Sequence, residues 1–427
     1  MFIIFIPTIL HIIITYVLGL FGVRLYSELI FFVYLGTSIV FLRNKKNIFI
    51  LLLCGYILRI LIMYFDIYFN DLFVLPHTGD SESFLNAGYI YYNSGSVFLT
   101  NIYGGLYSKF LGILMMLTGD NRLILQHINI IFDICSILIL MRCFDILKIS
   151  NKYRKIFIPI YIFMPMHMIV TSVLMRESII IFFISLSLFN ITCYYKYNKI
   201  KFLLKSIIYI LAGSLFHSAV IFLIVGYFYM VLFYNNKLTV KNMLYTFIVI
   251  VVLITIIYLY RDILLRKILK DGEINITYGN YKGAGSLYLP KLRVNSIKDS
   301  LLYAPIRGLY FLISPTPLYW RGISDILSFL FDSVIYLVFV KESIKLIKYR
   351  NYIVKNKGII LSLLISIILF TLVFGLGVNN SGTAIRHRTK ILTMIIVYLA
   401  CIHDNWDIIL QNQKNHRYGD NYERVSL

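Results

Sequence analysis

An all-α, polytopic integral membrane protein with about twelve transmembrane helices is the fold class that three observations predict. First, 59% of the 427 residues are hydrophobic and only 14% are charged, with a mean hydropathy of +0.79; soluble domains carry roughly 25% charged residues. Second, apolar runs long enough to cross ~30 Å of hydrocarbon recur from one end of the chain to the other. Third, the Lys and Arg residues gather in short segments between those runs. Arg43, Lys45 and Lys46 form one group, Lys148, Lys152, Arg154 and Lys155 a second, Lys196, Lys199, Lys201 and Lys205 a third, and six more lie from Lys341 to Lys357. This spacing assigns those loops to the cytoplasm by the positive-inside rule. It also turns the net charge of +21 away from nucleic acid and toward membrane lipid as the partner.

Threading the chain through that rule gives one polytopic unit over 1–403 and a polar cytoplasmic tail over 404–427. Segments near 2–20, 25–42 and 47–67 cross first, and the absence of a basic start and a small-residue cleavage site makes the first a retained span. Residues 68–125 then form an outer loop. If its apolar piece 105–118 crossed as well, the basic loop 148–155 would fall outside. The stretch 82–118 is therefore expected to form amphipathic or re-entrant helices on the outer surface. Spans at 126–147, 155–172, 177–194, 203–215, 217–234 and 240–260 follow. The segment 261–321 is polar, carries ten Lys and Arg and is punctuated by Pro290, Pro305, Pro315 and Pro317. It is expected outside, as an acceptor-binding lid. Spans at 322–340, 357–376 and 389–403 complete the chain. The five cysteines lie in or beside apolar segments without metal or disulfide spacing, which points to packing.

This map gathers the reactive side chains on one face. Asp80 and Glu82 stand in the first outer loop after His77, where carboxylates beside a bilayer default to a functional hypothesis. Arg176 and Glu177 form a tight turn between two spans. His217 lies at the turn of a hairpin, Arg321 closes the late outer segment, and Arg386, His387 and Arg388 follow Ser381, Gly382 and Thr383. Guanidinium forks match phosphate oxygens, and a carboxylate can take the proton of an attacking hydroxyl. The catalytic candidates are thus Asp80 and Glu82, the phosphate-binding candidates Arg176, Arg386, Arg388 and His387, and the secondary candidates His77, Glu177, His217 and Arg321. Each also has a plainer reading. Asp80 with Ser81 suits the cap of a helix that begins near Glu82. Arg176 and Glu177 suit an ordinary ion pair, His217 a packing histidine, and Arg386 with Arg388 snorkelling residues beside a span. No cofactor is indicated, since Gly279, Gly283 and Gly285 lack phosphate-loop spacing and one histidine with two acids is a poor zinc site. A divalent cation bridging carboxylate and phosphate stays open. Arg59 and Arg142 lie inside expected spans and need partners there.

Residues Gly79 to Phe84, followed by Ala87, Gly95, Asn101-Ile102-Tyr103 and Leu106-Tyr107, resemble the membrane glycosyltransferases of the GT-C superfamily. Pro165, the run Ser172 to Glu177 and Phe216-His217-Ser218 resemble GT-C-like proteins of bacterial surface-polysaccharide loci. The likeness spans roughly 50–235 and 379–392. It implies a polyprenyl-linked sugar donor, a glycan or lipid-linked acceptor, a bacterial cytoplasmic membrane location, Asp80 as base and the basic residues on the donor phosphate. The family often places adjacent acids or one Glu at the outer-loop position, whereas Ser81 separates Asp80 from Glu82 here, so the resemblance leaves open which of the two is the base. The chain is also similar to polysaccharide polymerases and O-antigen ligases, which hold pyrophosphate-linked glycans with arginine-rich outer loops, through the spacing of Arg261 and Gly272. From a different class, a flippase or transporter of lipid-linked sugars would instead need internal repeats and broken helices.

Overall fold

The computed structural model describes residues 32–39, 48–69, 75–76, 78–94, 102–234, 297–378 and 380–425, with single positions at 13, 17 and 289. Among them the fold is all-helical, without strands. Among the described residues, six helices are long and apolar enough to cross a membrane, or seven if one bent pair is a single span. Of the expected crossings, 2–20, 240–260 and most of 25–42 lie outside the described residues. The expected pair 203–215 and 217–234 forms α8 (Ile200–Phe216), a 3-10 turn at Ser218–Leu223 and α9 (Ile224–Tyr229).

After α3 (Leu106–Thr118), the central span is α4 (Arg122–Ile146), nearly all of it buried among its neighbours. Its N-cap Asn121 accepts from the Ile124 amide at 3.3 Å. The side chains of Arg122, Gln126, Asn129, Asp133 and Ser136 recur at helical spacing and make one polar stripe along an otherwise apolar helix. The span α1 (Phe49–Tyr68) answers that stripe with Arg59 and Asp66. Arg59 places Nη2 2.6 Å and Nε 2.7 Å from Asp133 Oδ2, and Asp66 receives Gln126 at 2.5 Å and Arg122 at 3.2 Å. The order of charge is reversed between the two contacts, so only one antiparallel register satisfies both.

The chain then bends. Helices α5 (Asn151–Phe163) and α6 (Pro165–Ser172) meet at 51° across Met164, because Pro165 has no N–H to continue the helix. One charged side chain replaces a lost backbone bond, and a second ties the bend to α4. Arg59 donates to the Ile162 carbonyl at 3.0 Å, and Asp133 accepts from Tyr161 and Thr171 and lies 2.9 Å from His167 Nε2. Arg59 thus finds its partners inside the bundle, while Arg142 is exposed near the end of α4.

The span α7 (Glu177–Tyr197) packs between α4 and α8. Helix α10 (Ile297–Ile313) occupies the end of the segment expected as an outer lid, yet it lies in the bundle against α12 (Lys357–Gly377). The reason is a pair of glycines: a Cβ on Gly375 would stand 2.7 Å from Gly308 Cα, so the two backbones touch. Its charge is absorbed locally, since Arg307 donates to the carbonyls of Gly375 at 3.0 Å and Val378 at 2.7 Å. Helix α11 (Ile323–Tyr352) runs past the expected 340, through a π-helical stretch at Ser328–Ser333. The last span, α13 (Ser381–Leu410), starts eight positions before the expected 389 and stays helical through 425 with no break at 404. Four of the five cysteines are buried and all five are free.

Candidate functional site

Helix α2 (Thr78–Ser94) begins four residues earlier than Glu82. Asp80 therefore stands in the first helical turn, where its carboxylate turns outward. It pairs with Arg386 Nη1 at 2.6 Å. The Asp80 side chain is 41% exposed and that of Arg386 only 10%, so the carboxylate forms the mouth and the guanidinium the floor. Tyr103 donates to Asp80 at 3.4 Å and packs on Phe84.

Below this mouth lies a buried ionic group centred on Glu177, the first residue of α7. Its Oε1 stands 3.3 Å from Arg386 Nε, 3.2 Å from Lys390 Nζ and 3.6 Å from His387 Nδ1. Lys390 also donates to His387 Nδ1 at 2.7 Å. Arg386 and Lys390 are one helical turn apart on α13, so the helix presents both to the same carboxylate. Asn380 caps that helix by accepting from the Thr383 amide at 2.6 Å. His217, at the end of α8, packs edge-on against the His387 ring at 4.8 Å and stacks on Phe374.

The turn 173–176 is held from two sides. Ser81 accepts from the Leu174 amide at 3.1 Å, and Asn129 donates to the carbonyls of Val173 at 2.8 Å and Met175 at 3.1 Å. These bonds fix Arg176 beside the carboxylates. Its guanidinium lies over the Phe84 ring and donates to the Phe216 carbonyl at 3.3 Å, while Nε is buried without a hydrogen-bond partner. Burial pulls its proton affinity down and Glu177 pulls it back up, with Arg386, Tyr103 and Asp80 also within its field. Three cations, Arg176, Arg386 and Lys390, thus face two carboxylates, Asp80 and Glu177.

The remaining candidates stand elsewhere. Glu82 is on the other side of α2, where it pairs with Arg122 at 2.6 Å; two residues along a helix turn the side chain by roughly 200°. Arg388 points away from the Asp80 mouth for the same reason. It is buried and donates to the carbonyls of Leu312 at 2.7 Å and Ser314 at 2.6 Å and to Ser328 Oγ at 2.7 Å. The expected spans 357–376 and 389–403 leave Arg386, His387 and Arg388 between them, but these residues are helical from Ser381 onward, which turns Arg388 away from the other two. Arg321 chelates Asp325 one turn ahead, at 2.9 and 3.1 Å, and is 43% exposed. His77 lies outside the described residues, as do Arg261 and Gly272. Among the described residues, no group of three or more His, Cys, Asp or Glu side chains could hold a metal ion.

Sequence reasoning missed Lys390, Ser81 and Asn129. Lys390 carried a signal, a lysine four positions after Arg386 at the start of an apolar span. The bonds of Ser81 and Asn129 to one distant turn had none.

The fold and the site together define a helical protein fitted to a membrane, with a half-exposed carboxylate over a buried, cation-rich ionic group. No family model, no curated protein and no solved structure matches this chain.

Proposed function

We propose that the chain is a membrane glycosyltransferase. It would move a sugar from a polyprenyl-phosphate-linked donor to a glycan or lipid-linked acceptor at the outer face of the bacterial cytoplasmic membrane, in surface-polysaccharide biosynthesis. The observation that carries this reading is Asp80 at the mouth of the Arg386, Arg176 and Lys390 group. An acceptor hydroxyl attacks the anomeric carbon of the donor and gives its proton to the Asp80 carboxylate. The bond from that carbon to the phosphate oxygen breaks, and its electron pair leaves with the polyprenyl phosphate. Arg386 and Arg176 balance the charge that grows on the departing oxygen. Glu177 and Lys390 hold Arg386 in place from below. This assigns the base to Asp80 and gives Glu82 a packing role through Arg122.

The test is surface glycan in a deletion strain complemented with wild type, Asp80→Asn or Glu82→Gln, at matched membrane levels. Loss of glycan with Asp80→Asn and retention with Glu82→Gln is the expected result. Normal glycan in both variants would remove the catalytic carboxylate. Long chains collapsing to single repeat units would move the assignment to a repeat-unit polymerase.

One observation favours a second reading, a flippase for lipid-linked sugars. The bent pair α5 and α6 and the buried Arg59, Asp133 and His167 group lie within the spans, where a transporter keeps broken helices and ionisable groups. Purified protein in proteoliposomes separates the two. A transferase releases polyprenyl phosphate from donor in the presence of acceptor, and a flippase changes only the leaflet of the intact donor.

A further inference from the structure

Asp80 and a phosphate would compete for the same edge of Arg386. The carboxylate sits 2.6 Å from Nη1 and is the more exposed partner, while Nε of the same guanidinium faces Glu177 at 3.3 Å from within. The two contacts differ in how easily they can be exchanged. Glu177 is fully buried and shared among Arg386, Lys390 and His387, so removing it would strand several charges in a low-dielectric interior. Asp80 is held by Arg386 and by one long hydrogen bond from Tyr103 at 3.4 Å, and water can take over its solvation. The outer edge of Arg386 is therefore the exchangeable one. Arg176, with a buried Nε that makes no hydrogen bond and with Asp80 and Arg386 among its electrostatic neighbours, supplies a second cation for an incoming dianion.

We infer that Asp80 is an exchangeable counter-ion: a phosphate group binds Arg386 and Arg176 by displacing the Asp80 carboxylate from its ion pair. The displacement rests on the glycosyltransferase reading for its consequence. A carboxylate whose Oδ2 is held against a guanidinium at 2.6 Å is committed to that contact and not to an acceptor hydroxyl. Once the phosphate takes the guanidinium, the carboxylate is free to accept the proton of the acceptor hydroxyl. Donor binding and activation of the base become one event, and the site withholds its base until the leaving group is in place.

This exchange makes a prediction of sign that a merely structural ion pair does not. If Asp80 competes with phosphate, its neutral isostere binds phosphate more tightly while losing transfer. If Asp80 only orients Arg386, the same change weakens binding or leaves it unchanged. The experiment titrates three probes, inorganic phosphate, inorganic pyrophosphate and polyprenyl phosphate in phosphatidylcholine nanodiscs, into the full-length protein. Wild type is compared with Asp80→Asn and with Arg386→Gln, and each variant's thermal unfolding is checked against wild type. The expected result is binding about tenfold tighter for Asp80→Asn and lost for Arg386→Gln. A gain confined to the nanodisc probe supports exchange with a lipid-borne phosphate, and a gain with the free anions supports exchange with the headgroup alone. Equal or weaker binding in Asp80→Asn, with wild-type binding intact, overturns the exchange and leaves the transferase reading standing. No binding of any probe to wild type overturns both. If Asp80→Asn fails to fold, Asp80→Ser under the same titration carries the same prediction of sign.

Discussion

At the scale of single residues, the charges in this bundle divide by what holds them. Arg59 and Asp133 are both fully buried and 2.6 Å apart, and each has further partners in the helix backbone or in His167, Tyr161 and Thr171. Taking away one partner of such a pair costs about 3–5 kcal/mol, because the other is left charged in the interior. Arg59→Met should lower the unfolding free energy in detergent by that amount, and Arg59→Met with Asp133→Leu should recover a large part of it. A double variant no better than the single one would show that Arg59 acts mainly through the Ile162 carbonyl at the bend. Glu177→Gln should resemble Arg59→Met, since it leaves Arg386 and Lys390 facing each other without their shared anion. Its thermal midpoint should fall clearly below that of Asp80→Asn, because the Asp80 side chain is 41% exposed and water can replace it.

At the scale of elements, close helix approach depends on missing side chains. Gly375 and Gly308 bring α12 and α10 into backbone contact, the small-residue packing that membrane helices use in place of a hydrophobic drive. Gly226 does the same for α9, where a Cβ would collide with the Ser362 carbonyl. Serines lock that crossing, with Ser362 donating to the Gly226 carbonyl and Ser366 to the Leu223 carbonyl, both at 2.7 Å. Gly375→Leu should destabilise the protein by at least ~2 kcal/mol through overpacking, measured by thermal unfolding. Gly377→Ala, at a position with nothing within 4 Å, is the matched control and should be near neutral. Equal losses from both would remove the crossing as the cause, since replacing a helical glycine by itself raises helix propensity.

At the scale of the whole molecule, the charges separate into two poles. Lys355 pairs with Asp404, Lys152 with Asp407 at 2.6 Å, and Asn405 receives the Lys355 amide at 2.8 Å. These contacts join the basic segments near 148–155 and 349–357 to the end of α13. Asp66, Glu82 and Arg122 gather at the far end of α1 and α4, beside the Asp80 and Glu177 group at the start of α13. By the positive-inside rule the first pole is expected in the cytoplasm and the second outside. In a Cys54→Ala background, an impermeant thiol reagent on intact cells should label Ser83→Cys and spare Arg350→Cys, both exposed positions. The reverse pattern would turn the protein over and remove the outer-face reading of the site.

The amino-acid sequence by itself determined the helical membrane class, through apolar runs whose length matches a bilayer, and marked Asp80, Arg176, Glu177, His217, Arg386 and His387 as candidates, all of which meet in one group. Composition and spacing suffice for that, because bilayer thickness and the cost of burying a charge act on each segment alone. Tertiary structure decided which candidates share a partner. Asp80 and Arg386 are 306 positions apart, and no local pattern says that α2 and α13 touch. Arg388 was indistinguishable from Arg386 until the helix beginning at Ser381 turned them to opposite sides. The role of Lys390, the reversed ion pairs of α1 and α4, and the seat of α10 inside the bundle likewise depend on which helix faces meet. Periodicity fixes the face a residue belongs to; packing between distant segments fixes what that face meets.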